Sequence, residues 1–214
     1  MIYLAVLDHA HLDNSLFLTA FARAVAQHKN PGIILHGDSE YTERIIQGGV
    51  MRRDAQLRAM KELNRRLVGL LADEGVAAIG LNGSQKGLVN YDSASGEIEI
   101  DSSQIEKLPP QPAIVLSALG TGTDNEPVPV PLPLFAEQLR VRLELAEIVL
   151  FCSDASSEVM KQDLPEKASW NSEFSELIQK QVPSEFQNSG LKMALTTADS
   201  FAKWPNMGNM ARFT

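Results

Sequence analysis

Several residues that could bind an anion follow short apolar runs in the sequence. His36 and Gly37 end one such run, Asn82 and Gly83 end another, and Gly120 ends a third. Loops at the carboxyl ends of parallel strands are common ligand sites in α/β proteins, and glycine lets the backbone approach a ligand closely. Tight turns need glycine at such positions as well. The pattern therefore indicates either a small-molecule site or plain strand-end turns.

Two arginines, Arg52 and Arg53, stand at the start of a predicted helix. A guanidinium can hold a carboxylate through two parallel hydrogen bonds, which makes Arg52 a candidate for binding an anionic substrate. The alternative interpretation is ordinary surface charge at the beginning of a helix.

A compact set of potential metal ligands follows the first apolar run: Asp8, His9, His11 and Asp13. Imidazole and carboxylate groups at this spacing can bind Zn²⁺ or a related ion. The sequence offers no visible remainder of such a ligand set, and a polar loop explains these residues as well. We therefore expect no metal at this position.

Composition and charge exclude several classes of protein. The 214 residues are 44% hydrophobic and 21% charged, which is ordinary globular usage, and the formal net charge is -8. That charge repels nucleic acid and anionic membranes, so neither is an expected partner. Cys152 is the single cysteine, so the chain forms no internal disulfide. With no apparent leader or apolar run long enough to cross a bilayer, we expect a cytoplasmic protein.

The hydrophobic pattern alternates between short apolar strands and amphipathic helices. This order predicts an α/β fold, a three-layer αβα sandwich with a mainly parallel open sheet. Residues 88–100 add a β-hairpin, and a further helix is predicted near residues 191–203. We predict an αβα domain over 1–155 and a smaller C-terminal segment over 156–214, because the later residues are more polar. The predicted strands are residues 1–7, 32–36, 76–81, 113–119 and 147–152, and the main predicted helices are 15–28, 54–74 and 135–146.

Several segments, in order, resemble the amino acid kinase family and N-acetylglutamate kinase in particular. Residues 33–37 resemble the strand and the start of that family's His-Gly-Gly-Gly phosphate loop, and residues 64–68 resemble its Asn-Lys-x-Leu-Val helix. The resemblance extends over roughly residues 1–155. It implies a substrate-lobe-like domain over 1–155 and a shortened nucleotide-lobe-like C-terminal segment over 156–214. The other matching segments are residues 49–54, 78–83, 113–120 and 146–154.

This resemblance implies a function and a set of site residues. It implies transfer of a phosphoryl group from ATP, with Mg²⁺, to the carboxylate of an acyl-amino acid in arginine biosynthesis, and a homodimer formed through the substrate lobe. Lys192 would stand in for the second catalytic lysine, although a surface lysine fits equally, and Asp154 would lie on the nucleotide side. The substrate-binding residues would be His36, Gly37, Arg52, Asn82, Gly83 and Gly120.

The phosphate-handling segments depart from the family pattern. Residues 7–10 read Leu-Asp-His-Ala where the family has Lys-x-Gly-Gly, and residues 37–39 read Gly-Asp-Ser where it has three glycines. Residues 128–134 contain three prolines in place of the Asn-x-Asn-Ala-Asp loop. Phosphoryl transfer depends on cations and backbone donors around the migrating group. We therefore predict lost or reduced kinase activity, with an anionic small molecule as the expected ligand.

Two alternatives remain open at this level. A working but divergent kinase would need replacement cations, for which Lys86, Arg52 and Lys192 are the candidates. A non-catalytic oligomeric or regulatory subunit would need only the sheet and its surfaces.

Overall fold

The computed structural model describes residues 3–108, 113–152, 181–187, 189–206 and 210–213. Within them the chain forms a seven-stranded sheet in the order β11-β10-β9-β1-β2-β6-β3. All neighbouring strands of this sheet run parallel except β10 and β11, which are antiparallel. Its strands are Tyr3–Leu7 (β1), Gly32–His36 (β2), Ala78–Asn82 (β3), Ala113–Ser117 (β6), Ile148–Phe151 (β9), Met193–Thr196 (β10) and Met210–Phe213 (β11).

A smaller four-stranded sheet, in the order β5-β4-β7-β8, lies beside the larger one. It contains the predicted hairpin, whose two strands pair antiparallel. After β6 the chain returns to this smaller sheet, with Ala118 as the connection. Its strands are Val89–Tyr91 (β4), Ile98–Ile100 (β5), Leu119–Thr121 (β7) and Pro127–Pro129 (β8).

Helices cover both faces of the larger sheet because successive side chains of its strands point to opposite sides. On β1, Leu4 and Val6 join a core with α6 and the smaller sheet, whereas Tyr3, Ala5 and Leu7 join a core with α2, α7 and most of α4. The helices are His9–Leu12 (α1), Ser15–His28 (α2), Tyr41–Gln47 (α3), Arg52–Asp73 (α4), Ser102–Glu106 (α5), Leu132–Arg142 (α6) and Ala198–Phe201 (α7).

The predicted α/β fold with a mainly parallel sheet is therefore confirmed. The described part of residues 156–214 contributes β10 and β11 to the same sheet, and Val182 and Phe186 lie in the same core as β1. No described helix is long and apolar enough to cross a bilayer.

The helix predicted near residues 191–203 is wrong for its first part. Met193–Thr196 is a fully buried strand between β9 and β11, and only Ala198–Phe201 is helical. A four-residue apolar run fits a buried strand or a helix turn equally well, so its partners in the sheet decide the outcome.

Candidate functional site

The carboxyl ends of the parallel strands bring most of the predicted site residues to one edge of the sheet. In the strand register His36 lies beside Leu7 on one side and beside Ser117 on the other, and Asn82 is the next partner of Ser117. Asp8 follows β1 directly. This is the edge at which open α/β folds bind ligands.

His36 is fully buried within this edge and is hydrogen-bonded on both ring nitrogens. Its Nδ1 lies 2.9 Å from the carbonyl oxygen of Gly37, which can only accept, so Nδ1 carries the proton. Nε2 then accepts from the Asn64 side-chain amide at 3.3 Å. Burial lowers the pKa of His36 to about 4, against a smaller raising effect of the bond to Gly37. The imidazole is therefore neutral at physiological pH.

Asn64 extends this network into the strands. The two N–H groups of this amide donate to the carbonyl oxygens of Leu81 and Val115, each at 3.0 Å, and one of them is shared with His36 Nε2. They join α4 to β3 and β6. Gly80 makes room for it, because a Cβ at that position would overlap the Asn64 side-chain oxygen. We call His36, Asn64 and Gly80 the sealed network.

The predicted strand-end residues Asn82, Gly83 and Gly120 are engaged in packing and turns. The Asn82 side-chain oxygen accepts from the Ser117 hydroxyl at 3.1 Å. A Cβ at Gly83 would overlap the carbonyl oxygen of Leu119, so glycine is required where β3 meets the smaller sheet. Gly120 leaves space for Tyr91, whose Cβ would lie 3.0 Å from a Cβ at that position.

Of the predicted cations, Arg52 is paired with a carboxylate and Lys192 lies away from this edge. Arg52 is exposed and holds the Glu43 carboxylate with contacts of 2.8 and 3.4 Å. That pairing raises the pKa of Arg52. Lys192 is exposed directly before β10, at the amino ends of the parallel strands and hence at the opposite edge of the sheet. Asp154 lies outside the described residues.

Three of the four potential metal ligands after β1 are used in capping and core contacts, and the fourth, His9, is exposed. Asp8 caps α1 and contacts His11 Nδ1, while His11 Nε2 donates to the carbonyl oxygen of Cys152 at 3.1 Å. Asp13 accepts from the backbone of Glu40 at 2.7 Å. Among the described residues, no group of three or more His, Cys, Asp or Glu side chains is placed to hold a metal ion.

Asp8 is held in its charged form by this arrangement. Burial raises the pKa of Asp8, but the hydrogen bond and the charge of His11 outweigh it, and the pKa is lowered. A negative charge therefore stands at the end of β1, where a kinase of the resembled family would place a lysine.

A cavity of about 470 Å³ opens beside the sealed network at the same edge. Its floor is apolar and its rim carries two carboxylates and an imidazole. We call it the edge cavity. Its described lining consists of His9, Gly37, Asp38, Gln56, Met60, Tyr91, Ser93, Pro129, Val130, Pro131, Leu132 and Glu185.

Among the predicted site residues, Gly37 alone is part of that described lining. Leu132 packs over it, and a Cβ at Gly37 would lie 3.5 Å from the Leu132 side chain. Val130 and Leu132 are each 4% exposed and belong to the core. Apolar side chains therefore occupy the segment in which the resembled family has a polar loop.

The rim of the edge cavity carries negative charge. Asp38 Oδ1 accepts from the backbone of Ser39 at 2.7 Å and from the Thr42 hydroxyl. Partial burial of the carboxylate, followed by the charge of Asp8, raises the pKa of Glu185. No lysine or arginine occurs in the described lining. These residues do not fit the phosphates of ATP, which need cations and free backbone donors, and none of the described groups fits Mg²⁺.

Four lining residues carried no recognisable signal in the sequence: Gln56, Met60, Tyr91 and Glu185. Gln56 and Met60 lie inside the long helix α4, and Tyr91 lies in the hairpin. Glu185 returns to the cavity because Val182 and Phe186 on either side of it are buried in the core. Only these long-range contacts identify the four residues as neighbours.

Comparison of the whole fold with solved structures gives extensive matches at low sequence identity. X-ray structures of isopentenyl phosphate kinase match with a TM-score of 0.68 and 12% identity over 100% of both chains. N-acetylglutamate synthase from Neisseria gonorrhoeae, complexed with coenzyme A and L-arginine, matches with a TM-score of 0.67 and 12% identity, over 100% of this chain and 61% of that one. E. coli aspartokinase III, in complex with lysine and aspartate, matches with a TM-score of 0.68 and 9% identity. That match covers 99% of this chain and 64% of the aspartokinase chain.

No protein-family model and no curated protein sequence matches the chain. The likeness to solved structures is therefore one of fold, and it agrees with the fold expected from the resemblance of residues 1–155. The chain has the αβα fold shared by isopentenyl phosphate kinase, N-acetylglutamate synthase and aspartokinase.

Proposed function

We propose that this chain is an N-acetylglutamate kinase-like protein that performs little or no phosphoryl transfer and binds a small molecule at the carboxyl edge of its sheet. The observation that supports this proposal most strongly is the charge at the first two strand ends. Asp8 and Asp38 follow β1 and β2, where a phosphate-binding site needs a lysine and bare backbone donors.

The apolar segment of residues 128–134 supports the same conclusion. Buried Val130 and Leu132 contribute packing where a phosphate site would need polar donors. The prolines among their neighbours have no backbone N–H to offer. A kinase built on this chain would have to position ATP without these groups.

The test is an ADP-release assay on the full chain with ATP-Mg and a panel of acceptors: N-acetylglutamate, isopentenyl phosphate and aspartate. We expect ADP release at the level of the protein-free control with every acceptor. Protein-dependent turnover with any of them would overturn the proposal and favour the divergent kinase. In that case Lys192→Ala and Lys86→Ala would show which cation supports the reaction.

A second candidate role, a non-catalytic oligomeric subunit, is favoured by the sheet edge at β3. The side chains of β3 are partly exposed, whereas those of β1, β2, β6, β9 and β10 are buried. An open strand edge presents unpaired backbone groups to another chain. We expect a homodimer by light scattering, and Ile79→Lys on β3 should produce monomers if this edge is the interface. A dimer unaffected by that change would exclude the β3 edge.

A further inference from the structure

We propose that the edge cavity binds an organic ammonium ion with a compact apolar body, which deepens the proposed function and rests on it. The resemblance to acyl-amino acid kinases leads one to expect an anion. The residues that surround the cavity favour a cation.

The cavity itself is the observation that points to a ligand. Its volume of about 470 Å³ falls within the range of small-molecule sites, which typically combine an apolar lining with a few polar groups. Met60, Val130 and Leu132 form an apolar floor that is nearly or wholly excluded from solvent. An apolar body on this floor would gain from the removal of its surface from water.

The polar end of the cavity selects the charge of the ligand. Asp38 and Glu185 line it, and the carboxylate of Asp8 is close enough to raise the pKa of Glu185. Within the described lining, His9 is the one residue that could add positive charge, and it is exposed to solvent. An anion entering here would meet like charges in a partly dry site, which is unfavourable, whereas an ammonium group would be attracted.

Tyr91 provides a third contact suited to a cation. Tyr91 belongs to the described lining of the cavity, and Gly120 leaves space for the Tyr91 Cβ. The face of a tyrosine ring attracts an ammonium ion placed over it. A floor of aliphatic groups, an aromatic wall and carboxylates at one end together fit an arylalkyl or alkyl amine.

The test uses three probes of nearly equal shape: phenethylammonium, the neutral amide 3-phenylpropanamide and the anion 3-phenylpropionate. Each is titrated into the full-length protein while methyl and backbone NMR signals are recorded, with the Met60 methyl group as the reporter of the cavity. We expect saturable shifts at Met60 with phenethylammonium alone. Equal or tighter binding of the amide or the anion, or no binding of the cation, would overturn the proposal.

Variants of the rim carboxylates then test whether these charges contribute to the binding of phenethylammonium. Glu185→Gln removes a charge from the rim of the cavity, outside the apolar floor, and should fold normally. We expect it to weaken the binding of phenethylammonium about two- to fivefold, the range for a partly exposed ion pair, and Asp38→Asn to do the same. Glu106→Gln, which removes an exposed carboxylate outside the cavity lining, is the matched control. Unchanged affinity in Glu185→Gln would contradict the role of the rim.

The result is distinguishable from a failure of the proposed function. Protein-dependent ADP release in the acceptor assay would refute the proposed loss of kinase activity, whether or not phenethylammonium binds. If phenethylammonium does not bind and no ADP is released, the proposal of a cationic ligand is refuted and the proposed loss of kinase activity stands.

Discussion

The carboxyl edge of the sheet contains two adjoining regions with opposite character. In the sealed network of His36, Asn64 and Gly80, the His36 ring nitrogens and the Asn64 amide have hydrogen-bond partners, and both of these side chains are buried. In the edge cavity, carboxylates face an open, partly apolar space and one of them has a raised pKa. The first arrangement stabilises the fold, and the second leaves charges that a ligand could neutralise.

The two regions differ in what their side chains contact, and the substrate-binding role of His36, Asn82 and Gly83 stays a prediction. His36, Asn82 and Gly83 stand where a kinase-like sequence would bind substrate, yet they form internal hydrogen bonds and close backbone contacts. The residues that line the cavity come from the interior of a helix, a hairpin and the C-terminal segment. Site chemistry on this fold therefore depends on which side chains remain open to solvent.

The largest effect is expected for Gly83→Ala in the closely packed region. The new Cβ would overlap a backbone oxygen of Leu119, so β3 or β7 must move, and we expect a loss of about 3 kcal/mol in unfolding free energy. Gly69→Ala is the matched control, because nothing lies within 4 Å of a Cβ there and alanine favours the helix. Urea unfolding of both variants checks this prediction. Equal urea midpoints would show that the end of β3 accommodates the added methyl group without a loss of stability.

A pH-dependent loss of stability is expected from His36. The folded protein keeps this ring neutral down to a pKa of about 4, whereas the unfolded chain binds the proton at the ordinary value near 6.5. Stability should therefore fall as pH decreases from 6.5 to 4, by about 3 kcal/mol for this group.

The check is urea unfolding between pH 7 and 4 in wild type and in His36→Gln. The variant should show a shallower decline, with the remaining slope partly due to His28, whose pKa burial also lowers to about 4. The same slope in both proteins would contradict the buried neutral state of His36.

A smaller effect of opposite sign is expected in the open region. Because the raised pKa of Glu185 means that folding disfavours its charged form, Glu185→Gln should raise the urea midpoint slightly at pH 7. The exposed carboxylate of Glu106 provides the control, since Glu106→Gln should leave the midpoint unchanged. A lowered midpoint for Glu185→Gln would mean that this carboxylate stabilises the folded protein.

The smallest effect is expected for Arg52→Ala. The ion pair with Glu43 is exposed on both sides, and such pairs add little to stability. The urea midpoint should not change within error, and neither should amine binding at the cavity. A large loss of binding would show that Arg52 reaches the ligand despite its pairing.

The sequence predicted the fold well because buried parallel strands are recognisable as short apolar runs. The five predicted strands are present, and their order placed His36, Asn82 and Gly120 near one another. Met193–Thr196 was predicted as part of a helix because so short a run has no decisive period. The short helix α3 and the strand β8, which contains two prolines, were not predicted at all.

The site was less predictable because exposure depends on contacts between distant residues. Nothing near His36 in the sequence shows that Asn64 reaches its ring, and nothing near Glu185 shows that Phe186 anchors it beside Asp8 and Asp38. The acidic replacements themselves were visible in the sequence. Their consequence for the ligand required the apolar floor and the cavity as well.

We propose that this fold is retained without a phosphate-binding site, and titration of ATP-Mg into the 214-residue chain tests that proposal most directly. Isothermal titration calorimetry at low ionic strength should show no saturable heat up to millimolar nucleotide, because Asp8 and Asp38 oppose the phosphates. A saturable isotherm with a dissociation constant at or below about 0.1 mM, roughly -5.5 kcal/mol of binding free energy, would contradict it.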